Sequence, residues 1–413
     1  MVPEGWIQAP LGKLVERVAR PVSVDTTKTY QEIGIRSHGK GLFDKEPVTG
    51  AALGNKRVFW VEPHCLILNI VFAWEQAVGK TTDKDVGKIA SHRFPMYRPR
   101  DGRSDVDYLT YLFKTPYGKY LLGLASPGGA GRNKTLGQAD FLKTVVRVPP
   151  MHEQTTIVRI LKTWDRAIET LEALMQNSQM QKRGLMQNLI TGSERFQEFA
   201  GQKWRDVQLK DIAEIRTSNV DKKTVADQPA VRLCNYTDVY YNPHITNDIA
   251  FMDATATQSQ IERFSLHKGD VIITKDSESP DDIAIPALVD DDLAGVLCGY
   301  HLALIRPRAN QADGAFLSNL FSLKKTQRYF FTHANGATRF GLSVDTIRDA
   351  AFCIPRLEEQ QRVAKVLRAC ERSIANYRKQ LVSIKDQRKA LMQQLLTGKC
   401  RVRCTQPKEV ARA

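Results

Sequence analysis

One segment of this sequence occurs twice, 206 residues apart. Residues 185–192 recur with two changes as residues 391–398, and the match runs back without a gap to Pro149 and Pro355. A second match, at an offset of 198 residues, relates the starts of the two halves. This period is far longer than that of a solenoid repeat, so it indicates two copies of one domain plan. The sequence therefore predicts two similar domains related by pseudo-two-fold symmetry.

Each copy ends in a long segment without proline, in which apolar residues alternate at steps of four and three. That is the spacing of a coiled-coil seam. The predicted seam positions are Ile157, Leu161, Trp164, Ile168, Leu171, Met175, Leu185, Leu189, Val363, Leu367, Cys370, Ile374, Tyr377, Leu381, Ile384, Leu391 and Leu395. Gly192 and Gly398 follow the two segments, and glycine is the commonest residue just past a helix end. Each segment is predicted to be a helix of about 60 Å.

Two apolar stripes of equal length in one chain can be buried against each other, so the two helices are expected to pair as an antiparallel coiled coil. In the alternative, each helix packs only on its own domain. The rest of each half mixes strand-like runs with helical segments near 107–122 and 314–332. The predicted fold class is α+β, with tandem duplicated domains of mixed α/β structure, each followed by a long α-helix. The predicted divisions are a first domain at 1–150, a first long helix at 151–192, a linker at 193–203, a second domain at 204–355, a second long helix at 356–398 and a basic tail at 399–413.

The chain carries a formal net charge of +15. Such an excess attracts polyanions, above all nucleic acid. Charge by itself supplies affinity without sequence preference. Double-stranded DNA is therefore the expected partner, and the alternative is an ordinary solvated surface.

No stretch approaches the roughly 18 apolar residues of a membrane span, and the first residues lack the pattern of a signal peptide. We therefore expect a cytoplasmic protein without a membrane partner. The seven cysteines are odd in number and form no CxxC pair, which is typical of reduced, incidental thiols. The histidines show no metal-binding spacing, so no metal site is expected.

Catalytic motifs are incomplete in this sequence. Residues 128–135 resemble a phosphate-binding loop, but Asn133 stands where glycine must precede the lysine. Residues 242–244 lack the second proline and the aromatic residue of an adenine methyltransferase loop, and Pro280-Asp281 has no partner motif of a nuclease. A non-catalytic chain is therefore expected, and a loop that faces DNA is the better interpretation of residues 128–135.

Four stretches carry a resemblance to a known family. They are residues 148–154 (VPPMHEQ), 204–213 (WRDVQLKDIA), 335–343 (NGATRFGLS) and 354–361 (IPRLEEQQ). In this order, and with the duplication, they resemble the specificity subunits of type I restriction–modification systems. The resemblance spans nearly the whole chain; no single motif decides it, but the ordered set is specific.

The resemblance implies two target-recognition domains, each reading one half of a split DNA sequence, with the paired helices setting the gap. It implies two methyltransferase subunits docked on the helices, with restriction–translocase subunits as further partners. It implies no cofactor in this chain, with S-adenosylmethionine used by the methyltransferase, and ATP and Mg²⁺ used for restriction. The family subunit is not itself a catalyst.

Residues expected to contact DNA combine side chains able to donate hydrogen bonds with loop or strand-end positions in both halves. Arginine reads guanine and asparagine reads adenine through two parallel hydrogen bonds. The DNA-contacting candidates are Arg36, His38, Lys40, Asn69, His92, Arg93, Arg132, Asn133, Lys134, Arg232, Asn235, Tyr236, Thr274, Lys275, Tyr300, His301, Asn335, Thr338 and Arg339. Asn69 corresponds to Thr274 and His92 to Tyr300, so the two half-sites are expected to differ and the target to be asymmetric.

Other functions stay open at this point. The chain could serve a related methyltransferase or nuclease assembly, it could be a self-sufficient DNA-modifying enzyme with an unrecognised site, or it could be a structural coiled-coil protein. Methylation or cleavage of DNA by the chain alone would identify the enzyme. Equal binding of specific and random DNA would indicate the structural protein.

Overall fold

The structure is a computed structural model, which describes residues 3–128 and 134–402. The chain divides into two compact units. Unit 1 comprises Met1–Glu172 with Lys379–Ala413, and unit 2 comprises Ala173–Arg378. Each long helix is therefore shared between the units, rather than belonging to the domain that precedes it.

Among its described residues, unit 1 holds thirteen strands and begins the first long helix. The strands are β1 (Ile7–Pro10), β2 (Val15–Val18), β3 (Arg20–Pro21), β4 (Thr29–Tyr30), β5 (Ile33–Arg36), β6 (Gly41–Asp44), β7 (Val48–Thr49), β8 (Val58–Trp60), β9 (Leu66–Leu68), β10 (Val78–Lys80), β11 (Ile89–Ser91), β12 (Met96–Pro99) and β13 (Val145–Val148). The helices are α1 (Gly50–Leu53), α2 (Val106–Phe113), α3 (Pro116–Leu124), α4 (Gln138–Lys143) and α5 (Met151–Thr191).

Unit 2 holds the remaining elements. Its strands are β14 (Arg205–Gln208), β15 (Ala213–Thr217), β16 (Ala230–Cys234), β17 (His244–Ile245), β18 (Met252–Thr255), β19 (Val271–Thr274), β20 (Asp276–Ser277), β21 (Pro286–Val289), β22 (Val296–Cys298), β23 (Leu302–Pro307), β24 (Phe340–Gly341) and β25 (Ala351–Ile354). Its helices are α6 (Leu209–Ile212), α7 (Tyr236–Tyr241), α8 (Gln258–Phe264), α9 (Gly314–Phe321), α10 (Lys324–His333), α11 (Val344–Arg348) and α12 (Leu357–Leu396), the last of which ends in unit 1.

The two units are built on the same central sheet. In unit 1 the strand order is β10-β9-β12-β2, and in unit 2 it is β15-β23-β19-β21-β17. When the order of unit 2 is read in reverse, β21, β19, β23 and β15 match β10, β9, β12 and β2. The register agrees as well, because Leu66 faces Tyr97 in unit 1 as Val271 faces Ile305 in unit 2. The duplication predicted from the sequence is therefore present in three dimensions.

The smaller sheets differ between the units. In unit 1, β8 lies between β11 and β3 and pairs with both antiparallel. In unit 2, β16 lies between β18 and β22 and pairs with β22 in parallel. Sequence similarity is weak in these segments, so the repeat could not predict this divergence.

The ends of both long helices complete the domain cores. In unit 1, Ile157 and Leu161 near the start of α5 share a buried cluster with Leu395 near the end of α12. In unit 2, Leu189 near the end of α5 shares a cluster with Val363 near the start of α12. The helices therefore run antiparallel within each unit, and their apolar residues pack on a domain as well as on the other helix.

Every predicted seam residue is buried or half-buried. Ion pairs flank the seam and fix its antiparallel register. In unit 1, Asp165 accepts a hydrogen bond from Arg388 at 2.6 Å. In unit 2, Glu371 lies 2.6 Å from Lys182, and these two positions correspond to the first pair at the offset of 206.

The two helical segments predicted near 107–122 and 314–332 are each broken in two. In unit 1, α2 ends at Phe113, and Thr115 accepts a hydrogen bond from Gly118 N–H to begin α3 with Pro116 in the first turn. Proline fits the first turn of a helix but not its interior, so the chain starts a new helix there. In unit 2 the break falls between α9 and α10.

Candidate nucleic-acid interface

The loop that follows β9 is the place where the predicted residues of the first half converge. We call residues 69–77 the unit 1 loop. The turn between β5 and β6 is tied to it, because His38 N–H donates to Glu75 O at 2.7 Å. The segment after β11 is tied to it as well, because Ile70 N–H donates to Arg93 O at 3.0 Å. Three segments that are distant in sequence thus meet on one surface.

The side chains around the unit 1 loop differ in their exposure to solvent. Those that are exposed are Arg36, His38, Lys40, His92 and Arg93. The Arg36 guanidinium lies 4.7 Å from the Phe43 ring centre, and Lys134 Nζ lies 5.9 Å from the Trp74 ring centre. Arg132 and Asn133 lie outside the described residues. This surface is therefore basic, with rings that support two of its cations.

The corresponding loop of unit 2 follows β19, and we call residues 275–285 the unit 2 loop. Lys275 N–H donates to His301 O at 2.8 Å, as Ile70 does to Arg93 in unit 1. Leu342 N–H donates to Lys275 O at 3.0 Å, as Leu136 does to Ile70 at 2.8 Å. The two loops are thus equivalent in backbone structure.

This equivalence agrees with the alignment of the two halves made from the sequence. Thr274 occupies the place of Asn69, because Thr274 N–H donates to Ile285 O as Asn69 N–H donates to Ala77 O. His301 follows Tyr300 at the place where Arg93 follows His92. The backbone frame is shared, whereas the side chains that it presents are different.

Four predicted DNA-contacting residues have structural roles that the sequence did not indicate. Asn69 is buried and accepts a hydrogen bond from Val71 N–H, and Thr274 is fully buried and donates to Asp282 O. Asn235 is buried and donates to Leu233 O, and half-buried Arg232 donates to Ala294 O. Their donor side chains and their loop or strand-end positions were the signals in the sequence, and these did not reveal the burial or the local hydrogen bonds.

Three of the remaining second-half residues line a cleft of about 390 Å³ in unit 2. Its lining residues are Tyr236, Thr237, Tyr240, Tyr241, Asp276, Ser277, Glu278, Asp282, His301 and Arg339. Asn335 and Thr338 are exposed on the segment that carries Arg339, and Tyr300 is 46% exposed next to His301. The structure thus brings Tyr236, His301 and Arg339 together.

Tyr240, Tyr241 and the acidic residues of this cleft were not among the residues predicted from the sequence. Tyr236 and Tyr240 stack with ring centres 5.7 Å apart, and the Tyr241 ring meets Tyr240 edge-on at 5.0 Å. The Tyr240 hydroxyl donates to Asp282 at 3.0 Å, which raises the pKa of Tyr240. The string YTDVYY and the acidic residues after β19 are the sequence signals for this cleft, but hydrogen-bond acceptors are a weaker indication of DNA contact than donors.

The described part of the chain shows neither a metal centre nor a membrane helix. Across residues 3–128 and 134–402, no three His, Cys, Asp or Glu side chains are grouped so that they could hold a metal ion. Within the same residues, no helix is long and apolar enough to cross a membrane. The phosphate-loop-like segment at 128–135 lies largely outside the described residues.

Comparison with known families identifies the chain. The family described as type I restriction modification DNA specificity domain matches residues 66–177 and 201–386, which is more than half of the sequence. The chain belongs to this family. The two matched stretches fall one in each half, as the resemblance of residues 148–154 and 354–361 predicted. Members of this family are DNA-recognition components, so the prediction of a non-catalytic chain is confirmed.

Two curated relatives come from Methanocaldococcus jannaschii. The type I restriction enzyme MjaVIII specificity subunit is 22% identical over 272 residues, which cover 64% of this chain and 64% of that protein. The putative type I restriction enzyme MjaX specificity subunit is 24% identical over 318 residues, which cover 75% of this chain and 71% of that protein. This chain thus spans about two-thirds of the length of these relatives.

Solved structures share the fold over almost the whole chain. The HsdS subunit from Thermoanaerobacter tengcongensis is 16% identical with a TM-score of 0.54, covering 97% of this chain and 98% of that one. The S subunit from M. genitalium is 13% identical with a TM-score of 0.55, covering 95% and 96%. A chain from a study of assembly and conformational transition in the type I R-M system is 16% identical with a TM-score of 0.58, covering 97% and 100%. The fold class predicted from the sequence is confirmed.

Proposed function

We propose that this chain is the specificity subunit of a type I restriction–modification complex, in which unit 1 reads one half of a split DNA target and unit 2 reads the other. The observation that carries the proposal is the equivalence of the unit 1 loop and the unit 2 loop. Each loop holds segments from distant parts of its domain on one surface, where side chains can reach base edges.

The target of this chain is asymmetric in our proposal. Equivalent backbone positions carry Ile70 and Lys275, and another equivalent pair carries Arg93 and His301. Bases are discriminated by the donors and acceptors that face their edges. Because the two units share one backbone structure but present different side chains, they select two different half-sites.

The docking of partner subunits is also a proposal. Two methyltransferase subunits would bind α5 and α12, with restriction–translocase subunits as further partners. Exposed basic side chains on both helices support this, namely Arg159, Arg166, Lys365 and Arg372. In this arrangement the methyltransferase uses S-adenosylmethionine, and restriction uses ATP and Mg²⁺, whereas this chain binds none of them.

The long helices set the gap between the half-sites in this proposal. The two helices can be lengthened by inserting seven residues, or a multiple of seven, into each of α5 and α12 at positions that are 206 residues apart. An insertion of this length keeps the apolar seam in phase. We expect such a variant to recognise the same two half-sites across a longer gap. A changed half-site sequence would contradict this role for the helices.

The decisive experiment is to express the chain with the methyltransferase subunit of its own system and to map methylated adenines at single-base resolution. A motif with two short, different halves around a fixed gap is the expected result. A palindromic motif would refute the asymmetric target. A stable complex without new methylation would contradict a role in methylation, and methylation by the isolated chain would identify an enzyme instead.

A further inference from the structure

Two charged residues of the unit 2 cleft, Glu278 and Arg339, lie on neighbouring segments. Strands β20 and β24 pair antiparallel, with Asp276 facing Gly341 and Ser277 facing Phe340. Glu278 directly follows β20 and Arg339 directly precedes β24, and both residues line the cleft. Both are exposed, and within the described residues neither side chain has a hydrogen bond or an ion pair.

The segment that carries Arg339 is held in one conformation. Asn335 and Gly341 exchange two backbone hydrogen bonds of 3.0 and 2.9 Å, which close the segment into a loop. Gly336 has a φ of +136°, and a Cβ there would lie 1.8 Å from Arg339 O. The loop therefore requires glycine at this position and fixes the backbone from which the Arg339 side chain extends.

The other charged groups of the cleft are already partnered. Asp276 accepts two hydrogen bonds of 2.6 Å from Lys275 and lies 2.9 Å from His301 Nδ1. Asp282 accepts the Tyr240 hydroxyl. Of the charged residues that line the cleft, Glu278 and Arg339 are thus the two that are free to meet a ligand.

A carboxylate on a surface that binds DNA repels phosphate, so Glu278 weakens the electrostatic part of binding. Such a residue is useful when it discriminates between bases. A carboxylate accepts a hydrogen bond from cytosine N4, and an arginine donates two hydrogen bonds to guanine O6 and N7. In one G·C pair these atoms lie side by side on the major-groove edge.

We infer that Arg339 and Glu278 together read one G·C base pair in the half-site bound by unit 2, with Arg339 on the guanine and Glu278 on the cytosine. This inference rests on the proposed function. The guanidinium of arginine presents two parallel N–H donors, which form a fork. An A·T pair offers no base with two neighbouring acceptors on its major-groove edge, so it cannot accept both hydrogen bonds of this fork.

The test uses the complex with its methyltransferase and the target found by methylation mapping. Each base pair of the second half-site is replaced in turn, and DNA affinities are measured by competition. For Arg339→Ala and Arg339→Lys we expect discrimination at one G·C position to fall by about tenfold or more. The lysine variant retains the charge but lacks the fork, so it separates base reading from phosphate attraction. Glu278→Gln should relax the same position while binding random DNA at least as well as the native complex.

Two variants control for charge. Asp281→Asn removes an exposed carboxylate near Glu278 that does not line the cleft, and Arg328→Ala removes an exposed arginine on α10. Both should leave every base preference unchanged. The inference is overturned if Arg339 and Glu278 variants affect different positions or none, or if the second half-site contains no G·C pair. Absence of any bipartite target would instead overturn the proposed function, and the inference with it.

Discussion

The Arg195 guanidinium donates two hydrogen bonds to the carboxylate of Glu359, from Nε at 2.9 Å and from Nη2 at 2.6 Å. Arg195 follows the end of α5, and Glu359 lies at the start of α12. In unit 1, Arg401 donates to Glu153 in the same way, with both distances 2.9 Å. Each unit thus joins the start of one long helix to the chain that leaves the other.

Removal of the negative charge of Glu359 should destabilise unit 2. Glu359 is 2% exposed in its side chain, so Glu359→Gln leaves a partly buried guanidinium without its counter-charge. We expect a loss of about 3 kcal/mol in the free energy of unfolding, measured by urea denaturation. The control is Glu172→Gln, which removes an exposed ion pair with Lys385 and should cost less than about 1 kcal/mol. Equal losses in the two variants would show that burial of the pair is unimportant.

The glutamine that follows each of these glutamates holds a domain to its helix. Gln360 accepts from Asp313 N–H at 3.0 Å and donates to the Gln311 and Pro355 carbonyls. Gln154 makes the equivalent three bonds in unit 1.

Gln360→Ala should lower the free energy of unfolding by about 3 kcal/mol, because buried backbone groups lose their partners. Gln361→Ala, at the exposed neighbouring position, should change it by less than about 0.5 kcal/mol. Chemical denaturation of both variants tests this, and the prediction fails if Gln360→Ala is as stable as Gln361→Ala.

The stability of unit 2 should depend on pH through His244. Its Nδ1 lies 2.7 Å from Asp290 and its Nε2 3.4 Å from Glu371, and these carboxylates are themselves paired with Arg368 and Lys182. The two carboxylates, Asp290 first, raise the pKa of His244 to about 9. In unit 1 the Tyr111 hydroxyl donates to Asp165 at the place equivalent to Glu371.

Because the folded pKa of His244 is above its unfolded value of about 6.5, its contribution is fully present below pH 6.5 and is lost as the pH rises towards 9. We expect His244→Gln to remove up to about 3 kcal/mol of the fall in stability over that range. Denaturation curves at several pH values measure this. His267→Gln, at an exposed position, should keep the native profile, and an unchanged profile in His244→Gln would refute the assignment.

Substitution of Gly398 should destabilise the protein, because its backbone is left-handed and Pro3 lies close to its Cα. It has a φ of +72°, and a Cβ there would lie 2.3 Å from Pro3 Cγ. Gly398→Ala should therefore cost about 1–2 kcal/mol in the free energy of unfolding. Gly184 lies within α5 with nothing within 4 Å of its Cβ position, so Gly184→Ala should stabilise the protein by about 0.5–1 kcal/mol. Thermal melting compares the two variants, and the same sign for both would contradict the argument.

The candidate DNA interface was only partly predictable. Exposed positions such as Arg36 and Arg339 could be chosen because donors in loops are typical of DNA contacts. Asn69 and Thr274 also have polar side chains at loop or strand-end positions, yet both side chains form hydrogen bonds within their own domains. Glu278 was missed because an acidic residue is an unusual choice for DNA contact until it is known to line the same cleft as Arg339.

The sequence by itself determined the duplication, the two long helices and their apolar seam. These features are local or repeat at a fixed offset, because helix periodicity and glycine caps act within a few residues of the chain. Only the tertiary structure decided that Leu395 completes the core of unit 1 and Leu189 that of unit 2, and that Glu278 and Arg339 line one cleft. Such contacts depend on strand register and on packing between segments far apart in the chain, which no local pattern encodes.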